Sequence, residues 1–217
     1  MRKTVVFVLM LSLLFSTAVN VFSAQGVDLQ NIERKYKILN ELGLLSDDFG
    51  LDESLSEDAA RANVVTGAIC LLGLHQEGEE PETAFDDVDF FASYAKDIKT
   101  ARDMNLISGV SKTEFAPDES ITLRDAVKVF VTALNYKAKA EKYGGYPYGY
   151  LRAGTELGLL DDISADAEET ITKADLISII YNASQADYAE EDIFANGEIS
   201  YRTQRDYTIL TSRGIYK

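Results

Sequence analysis

Apolar residues recur at three- and four-residue steps in three segments of the chain, which is the pattern of an amphipathic helix. An offset of 62 residues relates the first segment to the second, and a further offset of 53 residues leads to the third. The matched positions are Ile32, Tyr36, Leu39 and Leu42, then Tyr94, Ile98, Ala101 and Met104, then Leu151, Gly154 and Leu157. The pattern predicts one helix in each segment.

A polar loop and a second apolar segment follow each of these helices, at residues 60–74, 122–136 and 172–183. The offset between the first two is again 62 residues, and between the last two it is 50, because the third loop is three residues shorter. An unchanged offset across two helices indicates duplication, since an insertion in the loop would change it. A lone helix–loop–helix unit cannot bury its apolar stripe. We therefore expect an all-α, mainly helical domain in which three such repeats pack as a pseudo-three-fold bundle.

The domain organisation follows from these repeats. They are predicted at residues 27–76, 83–137 and 143–186, joined by linkers rich in Glu, Gly and Lys at 75–81 and 137–145. Residues 187–217 form a short irregular or β-containing C-terminal tail. Its alternating stretches at 199–201 and 207–210 predict strands too few to be stable alone. We expect this tail to be less well ordered than the bundle, and it is a candidate for the start of a further domain.

The N-terminus has the order of a secretory signal peptide. Arg2 and Lys3 precede an apolar run at 5–15, and small residues follow around Ser23 and Ala24. Residues 1–24 are therefore predicted to be removed on export, with cleavage after either Ser23 or Ala24. No later stretch approaches the roughly 20 apolar residues of a membrane helix. The sequence thus predicts a secreted, extracellular protein without a transmembrane segment.

Composition excludes several functions. The chain has 36 acidic and 21 basic residues and a formal net charge of −15, which disfavours nucleic acid as a partner. The single cysteine, Cys70, lies in an apolar run and is interpreted as a small core residue. The single histidine, His75, stands in a polar loop and cannot form a zinc site by itself, so we interpret it as a surface residue. No cofactor or metal is predicted.

Short motifs in a fixed order carry a resemblance to a known family. The second repeat has Phe-Asp-Asp-Val at 85–88, Leu-Ile-Ser-Gly at 106–109, Phe-Ala-Pro-Asp at 115–118 and Ile-Thr-Leu-Arg-Asp-Ala at 121–126. The third keeps Leu-Gly-Leu at 157–159 and Ile-Thr-Lys-Ala-Asp at 171–175, and the first keeps Leu-Gly-Leu-Leu at 42–45 and Ala-Arg-Ala-Asn at 60–63. Residues 30–185 thus resemble the S-layer homology family. The resemblance implies anchoring of an exported protein to the bacterial cell wall or S-layer, through non-covalent binding of a secondary cell-wall polysaccharide that is often pyruvylated.

The same resemblance identifies candidate ligand-binding residues. Arg61 and Lys173 match the arginine of the family's Ile-Thr-Arg-Ala-Glu motif, whereas the second repeat has Leu123 there and Arg124 one place later, about 100° around the helix. Free N–H groups and the dipole at a helix N-terminus favour an anion, and a basic side chain adds a charge-assisted hydrogen bond. Arg61, Lys173 and Arg124 are therefore the predicted binding residues. The Thr and Asp residues of these motifs have the spacing of a helix-capping box.

Two alternatives come from other functional classes. The departures from the motif allow a structural S-layer or envelope assembly protein that acts through protein–protein contacts and binds little glycan. An enzyme is disfavoured, because the adjacent acids at 47–48, 86–87 and 161–162 do not define an opposed acid and base. The sequence also lacks a nucleophile elbow, a Gly-rich phosphate loop and a His/Cys cluster.

Overall fold

The computed structural model describes residues 28–46, 49, 53–78, 82, 85–193 and 199–214. The predicted signal peptide lies outside the described residues. Within them the α-helices are α1 (Leu29–Glu41), α2 (Arg61–Leu72), α3 (Ala95–Asp103), α4 (Leu123–Ala133), α5 (Lys137–Lys142), α6 (Tyr148–Glu156), α7 (Lys173–Gln185) and α8 (Ile209–Ser212), with a 3-10 helix at Glu53–Ser56. The strands are β1 (Asp187–Ile193) and β2 (Ile199–Thr208). The mainly helical fold that the sequence predicts is confirmed.

The first helices of the three pairs, α1, α3 and α6, end in the same turn. Gly43, Asn105 and Gly158 have left-handed φ angles of 63°, 56° and 72°. This conformation lets the next N–H group bond back to the last turn of the helix, which ends it. The three bonds, each 2.9 Å long, run from Leu44 to Leu39, from Leu106 to Ala101 and from Leu159 to Gly154. The equal turns confirm the offsets of 62 and 53 in this part of the chain.

A closed triangle of backbone hydrogen bonds joins the segments that lead into α2, α4 and α7. Ala59 N–H donates to the carbonyl of Ile171 at 2.8 Å, and Ile171 N–H donates to Ile121 at 3.0 Å. Ile121 N–H completes the triangle by donating to Ala59 at 3.2 Å. All three residues are buried. The bonds therefore hold the starts of the three helices together inside the core.

A second set of bonds lies two residues further along each segment. The first residue of each helix donates its N–H to a carbonyl of another segment at 2.9 Å. These bonds run from Arg61 to Glu119, from Leu123 to Glu169 and from Lys173 to Glu57. Both sets repeat with the offsets of 62 and 50 residues that the sequence predicts.

The helices close into a ring. α3 packs against α2, α6 packs against α4, and α1 packs against α7, while α2 also contacts α4 and α7. Each first helix thus lies against the second helix of the preceding pair, and α1 closes the ring on the last pair. This arrangement is the predicted pseudo-three-fold bundle.

One linker prediction is wrong. Residues 137–145 contain the short helix α5, whose Ala140 is buried and which packs against α6. Ala140 provides the apolar contact, and the carbonyl of Ala140 accepts the N–H of Gly145 at 3.1 Å. The Lys and Gly content of the segment therefore reflects an exposed helical face and its terminating turn.

The tail is attached to the bundle. β1 and β2 pair in antiparallel orientation, which agrees with a β-containing tail. Ala189 N–H donates to the carbonyl of Leu134 at 3.2 Å, and Asn135 Nδ2 donates to Ala189 at 2.8 Å. The strand prediction at 207–210 is wrong for its second half, because Ile209 and Leu210 begin α8 and are buried.

Gly154 allows α6 to approach α4 closely. A Cβ at this position would lie 2.6 Å from Cγ1 of Val127, a β-branched and fully buried side chain. We expect Gly154→Ala to lower the free energy of unfolding by about 1–3 kcal/mol through overpacking. Thr155→Ala on the exposed face of the same helix is the control, with an expected change within about 0.5 kcal/mol. Equal urea midpoints for the two variants would contradict this account of the helix contact.

Arg213, directly after α8, connects the tail to the C-terminus of α2. Its Nη1 donates to the carbonyls of Cys70 and Leu71, both at 3.0 Å. A cation at this end of a helix also interacts favourably with the helix dipole. Arg213→Met should lower the free energy of unfolding by about 1.5 kcal/mol, and Arg213→Lys, which keeps the charge, by less. Thermal denaturation followed by circular dichroism measures both, and equal stability of Arg213→Met and wild type would contradict the contact.

Candidate ligand-binding groove

Arg61, one of the three predicted binding residues, lies in the first turn of α2 and extends across the second helix pair. Its Nε donates to the carbonyl of Phe115 at 2.8 Å, and its guanidinium carbon lies 4.7 Å from the centre of the Phe115 ring. Burial lowers the pKa of Arg61, while nearby acids including Asp125 oppose that shift. The side chain stays charged at neutral pH, since arginine does not deprotonate in proteins.

A cavity of about 160 Å³ opens beside Arg61. Its walls come from α2, from the loop at 106–110 and from α4, which contributes Asp125 and Lys128. Lys128 is half-buried, and its amine makes no ion pair with any residue that the structure describes. The cavity therefore has two cations on its wall, one from each of two adjacent helix pairs.

Tyr146 extends the rim of this cavity. Its hydroxyl donates to Oδ1 of Asp125 at 2.7 Å, and Thr122 donates to Oδ2 of the same carboxylate at 2.9 Å. The Lys128 amine lies 5.2 Å from the centre of the Tyr146 ring. Burial, together with the hydrogen bond to Asp125, raises the pKa of Tyr146 to about 12. The phenol therefore remains a protonated donor at neutral pH.

Arg124, the second predicted binding residue, lies outside the cavity wall. Its guanidinium forms an ion pair with Glu168 and lies 5.9 Å from the centre of the Tyr146 ring. The one-residue shift relative to the family motif thus places Arg124 beside Tyr146, at the outer edge of the groove. The structure does not bring it together with Arg61 in the cavity.

Lys173, the third predicted binding residue, begins α7 as Arg61 begins α2. Its Nζ forms an ion pair with Glu57 at 3.0 Å, and it does not line the cavity beside Arg61. The three predicted residues therefore occupy three separate environments, and Arg61 lines the cavity of about 160 Å³.

The N-terminal N–H groups of α2 and α4 are already bonded. Ala62 donates to the carbonyl of Pro117 at 2.9 Å and Arg124 to Ala167 at 3.1 Å, in addition to the bonds that Arg61 and Leu123 make. The first two N–H groups at each of these helix starts are therefore not free to bind an anion. Side chains have to supply the contacts instead.

The paired acids have structural roles where the structure describes them. Asp87 accepts the N–H groups of Phe115 and Ala116, at 2.9 and 2.7 Å. It holds the loop that carries Phe115, even though Ala116 adopts a left-handed φ of 58°. Residues 47–48 lie outside the described part of the chain.

Equivalent positions on α1 and α3 carry buried charged side chains. Lys35 is 4% exposed, and its Nζ donates to Asp162 at 3.0 Å and to Ser178 at 3.3 Å. Asp97 is 1% exposed and lies 2.9 Å from Nδ1 of His75. Burial raises the pKa of Asp97, and the hydrogen bond with His75 opposes this shift. His75, interpreted from the sequence as a surface residue, is 24% exposed at its side chain and partners the buried Asp97.

Lys128, which lines the cavity, and Tyr146, which contacts Asp125 and Lys128 on its wall, were not identified from the sequence. Lys128 lies one helical turn after Arg124, so a search of the exposed face of α4 beyond the family motif could have found it. Tyr146 belongs to the next helix pair, and no local pattern indicates its contact with Asp125.

Within the described ranges, no group of three or more His, Cys, Asp or Glu side chains is arranged to hold a metal ion. None of the helices described by the structure is both long and apolar enough to cross a membrane.

Comparison with known proteins identifies the class. Residues 84–127 match the family model of the S-layer homology domain. The chain is also similar to the middle cell wall protein of Brevibacillus brevis, with 24% identity over 97% of this chain and 20% of that protein. It is 24% identical to the cell surface protein of Thermoanaerobacter kivui, over 83% of this chain and 24% of that protein. It is 27% identical to the surface layer protein of Brevibacillus choshinensis, over 76% of this chain and 15% of that protein.

Residues 84–127 therefore match an S-layer homology domain, as the order of the motifs in this part of the chain predicts. The location of the protein is the extracellular bacterial cell wall or surface layer, with which it associates. The chain spans only about a fifth of the length of these relatives.

The ion pair between Lys35 and Asp162 should be detectable in the titration of the Asp162 carboxyl group. The hydrogen bond and charge of Lys35 lower the pKa of Asp162 below its ordinary value. The pair therefore stabilises the fold above the unfolded-state pKa of about 4, and this contribution is lost as the pH falls through the lower folded-state pKa. In a carboxyl-detected NMR titration, Lys35→Met should move the midpoint of Asp162 upward. An unchanged midpoint would contradict the ion pair.

Proposed function

We propose that this protein anchors to the cell wall by binding an acidic secondary wall polysaccharide in the groove between its first and second helix pairs. The observation that supports this most directly is the cavity of about 160 Å³ with Arg61 and Lys128 on its wall. In the proposed complex a carboxylate of the glycan, such as that of a pyruvate ketal, lies between these two cations. No covalent step is part of this function, and we propose no enzymatic activity.

The two cations have different tasks. Arg61 packs on the Phe115 ring and donates two hydrogen bonds, from Nε to the carbonyl of Phe115 at 2.8 Å and from Nη2 to that of Ser108 at 3.5 Å. Its planar guanidinium is therefore pre-oriented and loses little freedom when it binds a carboxylate. Lys128 supplies a mobile point charge on the opposite wall. The remaining surface of the groove fits a sugar, because Asp125 can accept a hydroxyl and the Tyr146 ring can pack on C–H groups.

Arg124 and Lys173 have secondary places in this proposal. Arg124 and Tyr146 form the outer edge of the groove, where a second sugar residue of the polymer would lie. Lys173 would head a weaker site, because a ligand must first displace Glu57 from its amine. We further propose that residues 27–76, 83–137 and 143–186 are three S-layer homology units, based on their repeated hydrogen bonds.

The test is co-sedimentation of the protein with purified bacterial walls that carry a pyruvylated secondary polymer. Arg61→Ala and Lys128→Gln should each weaken binding at least tenfold, because each removes a charge-assisted hydrogen bond worth about 1.5–3 kcal/mol. Arg34→Ala is the matched control, since Arg34 lies on the exposed face of α1. Circular dichroism checks that the variants fold.

Other outcomes would replace the proposal. Pelleting that is unchanged on walls stripped of the secondary polymer would favour the alternative of an envelope assembly protein that binds other proteins. Wild-type affinity of both folded variants would exclude the groove as the binding site. Reproducible release of glycan fragments would indicate a hydrolase.

A further inference from the structure

Leu123 corresponds to Arg61, one helix pair further around the ring, and we call the surface between Leu123 and the third helix pair the Leu123 groove. Leu123 begins α4 as Arg61 begins α2, and the two residues make equivalent backbone bonds. Leu123 is apolar and buried, so this second groove lacks a cation at the family's arginine position.

Two further positions of the Leu123 groove follow from the repeat. Ser178 on α7 corresponds to Lys128 on α4 at the offset of 50 residues. Asp162 corresponds to Gly109, because each lies three residues after the buried leucine that follows the first helix of its pair. In the Arg61 groove, both Gly109 and Lys128 line the cavity.

Lys35 joins the two corresponding positions in the Leu123 groove. Its amine, which comes from α1, bonds both Asp162 and Ser178. The lysine is 94% buried at its side chain, whereas the Asp162 side chain is 61% exposed. A cation is therefore present at the base of this groove, and a carboxylate of the chain itself lies between that cation and solvent.

The difference between Gly109 and Asp162 has a steric basis. A Cβ on Gly109 would lie 2.4 Å from the carbonyl oxygen of Glu114, so no side chain fits there without movement of the loop. Asp162 has a left-handed φ of 66°, a conformation that Asp tolerates and Gly adopts freely. The Arg61 groove thus has no side chain at Gly109, whereas the Leu123 groove has the carboxylate of Asp162 at the corresponding position.

We propose that the Leu123 groove is a latent carboxylate-binding site headed by Lys35, and that Asp162 occupies the position of the glycan carboxylate. This inference deepens the proposed function and rests on it. Because Asp162 is part of the same chain, its carboxylate is present at a high effective concentration and outcompetes a dilute ligand. Substitution of Asp162 should convert the closed groove into a working one.

The test starts from a protein in which the basic residues of the other two proposed binding sites are replaced by alanine. Isothermal titration calorimetry uses a methyl glycoside that carries a pyruvate ketal, and the starting protein is the Arg61→Ala, Lys173→Ala double variant. This background should bind the probe at least tenfold more weakly than the wild type. Addition of Asp162→Gly should restore binding at one site, with at least a tenfold gain in affinity over the background. Further addition of Lys35→Met should abolish it.

A second substitution of Asp162 keeps the test decisive if Asp162→Gly does not fold. Asp162→Asn has the same shape, tolerates the left-handed conformation and removes the competing charge. Its expected gain is smaller than that of Asp162→Gly, because the amide still fills part of the groove.

The outcomes separate this inference from the proposed function. Absence of probe binding by the wild type, or wild-type affinity in the double variant, contradicts the proposed function. Absence of Lys35-dependent binding in folded Asp162→Gly and Asp162→Asn overturns the latent site, even where the wild type binds through Arg61. Lys35-dependent binding that is already present while Asp162 is intact also overturns it.

Discussion

The closed triangle of backbone hydrogen bonds among Ala59, Ile121 and Ile171 is the constraint on which the rest of the structure depends. Because the bonds join segments rather than side chains, they fix the starts of α2, α4 and α7 relative to one another whatever residues these helices carry. The first residue of each helix then points toward the next pair. The groove beside Arg61 exists because this geometry directs a side chain of one pair across the loop of another.

Much of the fold is encoded locally and was predictable for that reason. The repeated left-handed turn at Gly43, Asn105 and Gly158 gives each first helix a fixed end, and constant offsets reveal the duplication. The packing of α5 and of the tail was not predictable in the same way. Their few apolar residues, such as Ala140 and Leu210, are buried because they pack against the bundle, and the local sequence does not specify that contact.

The residues of the candidate site also differ in whether local sequence could predict them. Arg61 was predicted because it belongs to a contiguous motif. Tyr146 and Lys35 were not, because each reaches its neighbours from a helix pair that is distant in sequence. The expected use of helix N-termini failed for a related reason, since the N–H groups of Arg61 and Leu123 are bonded to carbonyls far along the chain. Sequence motifs therefore indicate where a groove lies, whereas the packing of the three helix pairs determines which hydrogen-bonding atoms remain available to a ligand.

The contact between α1 and α7 has a consequence for folding. Helices that pack against near neighbours can associate early, but α1 is the first helix of the bundle and α7 is the last of the three second helices. Synthesis proceeds from the N-terminus, so α1 stays without its partner until the third pair has emerged. Closure also has to overcome the entropy of bringing distant segments together, which slows folding. The apolar face of α1, with Ile32 and Leu39, therefore stays exposed until the ring closes.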